Sequence, residues 1–263
     1  MGTRTGIEWT DATWNPVTGC TKVSSGCDNC YAESFARKRL VHIYVRRLPV
    51  VDSVENRVDP FAVRLWPERL GLPSRWSDSR MVFVNSMSDL FHSDVPDDYV
   101  FKVFQVMLSA DHHVYQVLTK RPSRAARFWK RYGKDLGHEA IPKHVWLGTS
   151  VENQAVVYRV RQLRLIPARV RFLSCEPLLG PLDLDLNGIH WVIVGGESGP
   201  VHRAMEPRWA LAVRDQCVAD RVAFFFKQWG GRTPKAGGRS LEGREWNELP
   251  RMVGRPVEGT SLV

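Results

Sequence analysis

Three cysteines near the amino terminus are the residues whose type and spacing most clearly suggest chemistry. Cys20, Cys27 and Cys30 have the spacing Cys-x6-Cys-x2-Cys, and the chain contains only two other cysteines. A disulfide framework, a zinc site and an iron–sulfur cluster are the candidate structures, and an odd cysteine count fits the first poorly. A structural zinc site needs a fourth ligand, which would have to be His42, a distant histidine or Cys175. Three thiolates can hold three corners of a [4Fe-4S] cluster and leave one iron open.

The bulk composition limits the class of protein. With 263 residues, 43% of them hydrophobic, the chain is long enough for one large core. The first residues lack the apolar run of a signal peptide, and no stretch of about 18 apolar residues occurs. We therefore expect a soluble, cytoplasmic protein with no membrane partner.

The chain is basic, with a formal net charge of +9. This charge favours a polyanionic partner such as a nucleic acid, because each Lys or Arg that meets a phosphate releases a counterion. A solubilising surface explains the same charge equally well. The basic clusters are Arg37 to Arg39, Arg46 and Arg47, Lys120 and Arg121, and Arg124 to Arg131.

Short apolar runs alternate with helical patterns, which predicts an α/β fold of strand–helix units around a parallel sheet. The predicted strands are Met81–Asn85, Val114–Leu118, Val145–Gly148, Val170–Ser174, Trp191–Val194 and Ala223–Phe226, with a further strand between Ile7 and Trp14. The predicted helices are Ala32–Val41, Asp97–Ser109, Ser123–Tyr132, Asn153–Leu165 and Pro207–Val218. Six to seven such units predict a partial or closed TIM-like (β/α) barrel of parallel strands.

Two segments fall outside this pattern. Residues 44–79 are rich in Pro, Arg and Trp and are interpreted as an insertion into a barrel domain of residues 1–235. The Gly-rich, basic segment after Trp229 leads into residues 236–263, which are interpreted as a C-terminal appendage.

Polar residues follow six consecutive predicted strands. Because the carboxyl ends of parallel strands meet at one edge of the sheet, a shared cavity is expected there. For any single residue, a helix cap, a first-turn carboxylate or a tight glycine turn is the commoner explanation. The repetition across six strands favours the cavity. The candidate residues are Ser86, Ser88, Asp89, Thr119, Lys120, Ser150, Glu152, Cys175, Glu176, Gly195, Gly196, Glu197 and Lys227.

Several short motifs occur together along nearly the whole chain. They are Asn15-Pro16, Gly19-Cys20, Gly26-Cys27 and Cys30-Tyr31-Ala32, followed by SMSDLF, LTKRP, SVEN, EPLLGP, GGESGP and FFKQWG. In these residues the chain resembles the radical S-adenosylmethionine (SAM) enzymes, especially their spore photoproduct lyase-like branch and a phage-associated three-cysteine family. It departs from the superfamily in its first cysteine gap, which is longer than usual, and in Asn29, which replaces an aromatic residue that touches adenine.

The resemblance implies a cofactor set and a reaction. A [4Fe-4S] cluster on the three cysteines would bind SAM, and an electron from a donor such as flavodoxin or ferredoxin would cleave SAM to a 5′-deoxyadenosyl radical. Gly195-Gly196-Glu197 has the letters of the family's motif for the SAM amino group, although it lies on a late strand. By position, other residues are the better candidates for SAM contacts: Ser86, Ser88 and Asp89 for the amino group, Ser150 or Glu152 for the ribose, and Tyr31 for adenine.

Three further residues have expected roles in the chemistry. Lys120 and Lys227 are expected to face the cavity and bind an anionic group of SAM or substrate, although exposed surface lysines are the alternative. Cys175 is placed to return a hydrogen atom to a product radical, as a cysteine does in the photoproduct lyase. A small buried hydrophobe is the alternative for Cys175, and Glu176 would then take the polar role.

Two rival classes remain beside the enzyme. In one, the cysteines hold zinc or a structural iron–sulfur cluster in a non-catalytic nucleic-acid-binding module, and in the other the protein is an electron carrier. Neither rival needs the polar strand ends. Basic charge, the resemblance to a DNA-lesion lyase and rim tryptophans favour a nucleic acid or nucleobase-like substrate, although packing is the likelier role of any one of Trp66, Trp76, Trp129 and Trp229. A peptide or small-molecule substrate remains open.

Overall fold

The computed structural model describes residues 5–233 and 235–250. Numbered along the chain, its strands are β1 (Ala12–Trp14), β2 (Val17–Thr18), β3 (Arg64–Leu65), β4 (Met81–Val84), β5 (Val114–Thr119), β6 (Val145–Ser150), β7 (Arg171–Cys175), β8 (Trp191–Gly195) and β9 (Ala223–Gln228). Seven of these strands form one parallel sheet in the order β1-β4-β5-β6-β7-β8-β9. Neighbouring strands thus follow one another along the chain, as in a TIM barrel. The sheet is the partial barrel that the sequence predicts.

The two faces of this sheet bury different clusters. The outer face packs against helices, and Val84, Val117 and Leu173 belong to the large cluster formed there. The inner face carries a second cluster that contains no helical residue. Its aromatic members, Trp146, Phe172 and Trp191 among them, fill the inside of the half-barrel. Strands buried on both faces explain the nearly continuous apolar runs of the sequence.

The main helices cover the outer face and begin at the carboxyl ends of the strands. The helices are α1 (Tyr31–Phe35), α2 (Val41–Tyr44), α3 (Val54–Val58), α4 (Asp97–Ser109), α5 (Pro122–Tyr132), α6 (Tyr158–Arg164) and α7 (Pro207–Ala219), and a π-helix (Ala36–Leu40) joins α1 to α2. Short 3-10 turns span Ser25–Cys27, Pro67–Arg69, Pro73–Arg75 and Gln154–Val156. In the described part of the chain, no helix is long and apolar enough to cross a membrane.

The insertion of residues 44–79 is held together by a buried arginine. Arg64 is fully buried, and its guanidinium donates to the carbonyl oxygens of Arg47, Asn56, Asp59 and Ala62 at 2.7 to 3.0 Å. Strand β3, which carries Arg64, pairs antiparallel with β2 just before the first cysteine. The insertion is therefore attached directly to the cysteine segment.

The C-terminal residues 235–250 pack against the last strand. Leu241 and Trp246 belong to the main core cluster, and the Phe226 N–H donates to the Trp246 carbonyl at 2.9 Å. The carboxylate of Glu248 accepts from the Phe224 N–H at 2.9 Å. The described part of the predicted appendage is thus integral to the fold, and residues 251–263 lie outside the described residues.

Candidate functional site at the carboxyl edge of the half-barrel

The loop that carries the three cysteines, residues 19–30, lies across the carboxyl edge of the sheet. We call it the cysteine loop. Gly19 donates to the Met87 carbonyl after β4 at 3.0 Å, and Ser24 Oγ donates to Glu152 Oε1 after β6 at 2.8 Å. Asn29 Nδ2 donates to Glu197 Oε2 after β8 at 2.9 Å. The cysteines therefore lie at the edge where the sequence predicts a cavity.

Glu152 is the central anchor of this loop. Its carboxylate is fully buried and contacts Arg159 NH1 at 2.9 Å and Lys120 Nζ at 3.4 Å. Burial alone would raise the pKa of Glu152, but the Lys120 and Arg159 cations and the Ser24 hydroxyl hold it below its usual value. A Cβ atom on Gly26 would lie 2.3 Å from Glu152 Cγ, so only glycine permits this approach of loop and carboxylate.

Asp89 and Arg121 anchor the beginning of the loop. Asp89 accepts from the Thr119 hydroxyl at 2.7 Å and from the Lys120 N–H at 3.0 Å. Arg121 NH1 lies 2.9 Å from Asp89 Oδ2 and 3.6 Å from the sulfur of Cys20. Because Asp89 is already bonded within the protein, this arrangement favours a positioning role for it over a direct SAM contact.

The three thiols are free and half-buried. Burial is the main cause that raises the pKa of Cys20 to about 11; the Asp89 carboxylate adds to the shift, and Arg121 opposes it. Burial also raises the pKa of Cys30, against the backbone N–H groups of Glu33 and Ala32 at the start of α1. Cys27 is close enough to contribute to both shifts. Cys27 therefore lies near both of the other two cysteines.

The three thiols of the cysteine loop are the residues that would hold a metal or a cluster. Within residues 5–233 and 235–250, no group of three or more His, Cys, Asp or Glu side chains is arranged to hold one metal ion. A [4Fe-4S] cluster with one open iron would take three thiolates, and the loop carries three. The cluster stays a prediction; Arg121 would be the cation beside the first of its ligands.

A second ion pair lies on the inner side of the same edge. Lys227 Nζ is 2.7 Å from Glu176 Oε2, and Ser174 Oγ is 3.4 Å from Glu176 Oε1. A Cβ atom on Gly195 would lie 3.1 Å from that carboxylate. Lys120 and Lys227 are both about one-fifth exposed and paired with strand-end carboxylates, so neither is a freely exposed surface lysine.

The serines after β4 hold the chain rather than present free hydroxyls. Ser88 Oγ donates to the Val17 carbonyl at 2.9 Å, and Ser86 Oγ is 3.1 Å from the side-chain amide of Asn15. Tyr31 donates its hydroxyl to the Ser86 carbonyl, while 58% of the Tyr31 residue surface remains exposed. Tyr31 therefore retains a free aromatic face beside Cys30, and its adenine contact stays a prediction.

The Gly195-Gly196-Glu197 stretch contacts the backbone after β9 and the cysteine loop. A Cβ atom on Gly196 would lie 1.9 Å from the Trp229 carbonyl oxygen. Glu197 accepts from Arg203 Nε and from Asn29 at 2.9 Å each. Burial would raise the pKa of Glu197, but these hydrogen bonds lower it. These residues pack against β9 and fix the cysteine loop, and their contact with the SAM amino group stays a prediction.

Cys175 lies on the outer face of the sheet. It is fully buried in the cluster shared with the helices, and burial raises the pKa of its thiol well above the ordinary value, with Cys217 of α7 as a second cause. The expectation that it reaches the cavity does not match this placement, which favours packing. Successive side chains of a strand point to opposite faces of the sheet. Ser174 and Glu176 point to the inner side, so Cys175 between them points to the outer side.

Two of the predicted rim tryptophans are buried, and the other two are partly exposed and packed against aromatic neighbours. Trp66 and Trp129 are buried, Trp76 contacts His113, and Trp229 contacts Phe226 with ring centroids 4.8 Å apart. Base stacking on these residues has no support. Arg159 and Arg203, in contrast, were missed by sequence reasoning. Both arginines lie several residues beyond the strand ends, and no local sequence motif indicates that Arg159 pairs with Glu152 or that Arg203 pairs with Glu197.

The fold and site define a class: a parallel half-barrel whose carboxyl edge is covered by an anchored three-cysteine loop. The chain belongs to the family described as "Protein of unknown function (DUF5131)", whose model matches residues 4–250. No curated protein and no solved structure matches the chain.

Proposed function

We propose that this protein is a radical SAM enzyme whose [4Fe-4S] cluster is held by Cys20, Cys27 and Cys30. The observation that carries the proposal is the anchoring of the cysteine loop over the strand ends by Glu152 and Glu197. A loop bonded to several strands holds its ligands in fixed positions, as a cluster with an open iron requires. A mobile metal-binding loop would not need these buried partners.

The residues around the loop have separable tasks. Arg121 places a positive charge beside Cys20 and thereby favours the thiolate that binds iron. Lys120 and Lys227 supply cations at the inner edge for a carboxylate of SAM or an anionic group of the substrate. Tyr31 offers an exposed aromatic face for the adenine. When bound, the cluster and SAM supply hydrogen-atom abstraction chemistry.

The proposed substrate is a nucleic acid or a nucleobase-like molecule. Its support is the basic charge of +9 and the cationic edge of the site. With the rim tryptophans buried or packed against aromatic neighbours, the proposal rests on electrostatics rather than on base stacking. It also includes a cytoplasmic setting, in which thiols stay reduced, and a protein electron donor.

An anaerobic assay tests the enzyme class. Protein purified and reconstituted without oxygen is expected to bind about four irons, the content of one such cluster, and to convert SAM to 5′-deoxyadenosine with dithionite as reductant. One zinc per chain and no SAM turnover would establish the rival, a non-catalytic binding module. Turnover is then compared with and without single-stranded DNA, RNA and nucleosides, because a true substrate couples SAM cleavage to its own modification.

A further inference from the structure

An open cleft of about 700 Å³ lies where α2 runs into the insertion of residues 44–79. Residues 43–50 form one wall and residues 65–67 the other. Hydrogen bonds hold these two segments together: the Val50 N–H donates to the Val63 carbonyl at 2.8 Å, and Arg64 Nε donates to the Arg47 carbonyl at 2.8 Å. The cleft is therefore one concave feature, and its volume falls within the range of about 300–1,000 Å³ that small-molecule sites have.

The lining of this cleft is mostly aliphatic. Ile43 and Leu48 are 39% and 66% exposed, so a ligand can still remove much of their surface from water. Burial of that surface favours an occupant with a hydrocarbon body. The aliphatic lining residues are Ile43, Leu48, Val50, Leu65 and Pro67.

Trp66 forms a fixed part of the wall. Its indole N–H donates to Thr18 Oγ1 at 2.8 Å, and the guanidinium carbons of Arg47 and Arg69 lie 4.6 Å and 3.7 Å from the centroid of its ring. Only 6% of Trp66 is exposed. A nucleobase is therefore a poor occupant, because the ring in the wall is already covered and offers no free face for stacking.

Two arginines supply the polar groups of the lining. Arg46 is exposed and has no ion pair with another described residue. Arg47 NH2 lies 2.6 Å from Glu68 Oε1, whereas Arg47 Nε is buried and has no hydrogen-bond partner. Glu68 thus balances one of the two positive charges. The charge that remains matches a monoanion such as a carboxylate better than a phosphate dianion, which Glu68 would repel.

We propose that this cleft binds a small aliphatic carboxylate. Its carboxylate accepts charge-assisted hydrogen bonds from Arg46 and Arg47, and its hydrocarbon body lies against the aliphatic lining. An extended peptide would need acceptors for its backbone N–H groups, but the lining side chains are apolar or are donors. A second copy of the chain, with its net charge of +9, would bring like charges together.

This site is separate from the cysteine loop. Of the described residues that line the cleft, none belongs to that loop. Binding can therefore be measured without iron or SAM, and its outcome does not depend on the proposed function.

Isothermal titration calorimetry with decanoate tests the proposal directly. We expect saturable binding of one decanoate per chain, with an affinity that falls as salt is raised. Acetate carries the charge without the hydrocarbon, and decylamine carries the hydrocarbon with the opposite charge, so each should bind at least about tenfold more weakly. Absence of saturable decanoate binding, equal binding of decylamine, or tighter binding of decyl phosphate would overturn the proposal.

Two variants locate the binding site. Arg46→Gln removes the uncompensated charge and Leu48→Ser removes aliphatic surface, and each should weaken decanoate binding about tenfold. Both residues are exposed, so the fold should tolerate either change. The matched controls are Arg127→Gln on α5 and Leu165→Ser after α6, which are also exposed and should stay within about twofold. Unchanged affinity in either cleft variant, or equal losses in the controls, would overturn the inference.

Discussion

Arg121 NH1 lies 3.6 Å from the sulfur of Cys20, which places a cation beside a thiol that, under the proposed function, would ionise to bind iron. Replacing Arg121 with Gln removes the charge and keeps a polar side chain. We expect the reconstituted protein to lose iron to a chelator about tenfold faster, the scale of effect seen when a partner of a metal ligand is removed.

The matched control for this prediction is Arg124→Gln. Arg124 is close in sequence but donates to Val95 and Asp97, not to the cysteine loop. Equal rates of iron loss in the two variants would show that Arg121 has no role at the cluster.

Single substitution of Cys20, Cys27 or Cys30 by Ala should remove the brown iron–sulfur chromophore. A cluster bound through three thiolates loses one of its three protein ligands when one cysteine is replaced. Iron per chain and the visible absorption spectrum measure the effect. Cys217→Ala, which changes a buried cysteine of α7, should remain brown. Full iron content in two of the three loop variants would refute the ligand assignment.

Gly26→Ala should displace the cysteine loop. The added Cβ would meet Glu152 Cγ at 2.3 Å, and Glu152 cannot retreat because two cations hold it. The expected cost is about 1–3 kcal/mol in the free energy of unfolding, measured by urea titration, together with lower iron content. Gly71→Ala is the control, since nothing lies within 4 Å of its added Cβ. Similar urea midpoints for both variants would contradict the close approach.

Lys227→Met and Lys120→Met should weaken binding of SAM or substrate. Lys227 pairs with the partly exposed Glu176, so Lys227→Met should change thermal stability little, whereas Lys120→Met leaves the fully buried Glu152 with one cation fewer and should also lower stability. Equilibrium dialysis of labelled SAM measures the effect, with Lys102→Met on the surface of α4 as control. Unchanged affinity in both variants would retire the assignment.

Acidification should destabilise the protein below about pH 6.5, the ordinary pKa of histidine. His113 is fully buried; its Nδ1 accepts from the Arg80 N–H and its Nε2 lies 3.0 Å from the Pro73 carbonyl. Burial lowers the pKa of His113, so the unfolded chain binds more protons as pH falls, and the free energy of unfolding decreases.

Urea midpoints between pH 7.5 and pH 5, measured at constant salt, follow this pH dependence. His113→Gln keeps one donor and one acceptor without a titrating ring, so its midpoint should fall less steeply. Burial also lowers the pKa of His92, His144 and His190, and the slope that remains in the variant is assigned to these residues. Identical slopes in both proteins would remove His113 from the explanation.

The sheet could be predicted because its signals are local. Continuous apolar runs such as Val114–Leu118 and the short spacing between strands determine a parallel α/β fold, and helix α4 has the predicted bounds. The first strand is shorter than expected, since Trp9 turns under the half-barrel and packs against Phe83 and Trp191. The segment around Trp246 has few apolar residues, so its place in the core was not visible in the sequence.

The roles of the strand-end residues could not be read from the sequence. The type and position of Glu152 and Glu197 are visible there, but their function depends on Ser24 and Asn29, which are more than 100 residues away along the chain. From the sequence alone, a glutamate at either position could contact SAM, cap a helix or anchor a loop. The hydrogen bonds to the distant cysteine loop, seen only in the structure, show that both glutamates anchor it.

The anchors of the cysteine loop also determine the order of events during synthesis. The three cysteines leave the ribosome early. The hydrogen bond from Ser24 to Glu152 and the one from Arg203 to the Ser25 carbonyl can form only after Glu152 and Arg203 have been synthesised, and Arg203 comes 178 residues after Ser25. Contacts of such long range form only after most of the chain has emerged. The three cysteines are therefore made first and fixed last, so a nascent chain carries unanchored thiols, and under the proposed function stable loading of iron would follow completion of the barrel.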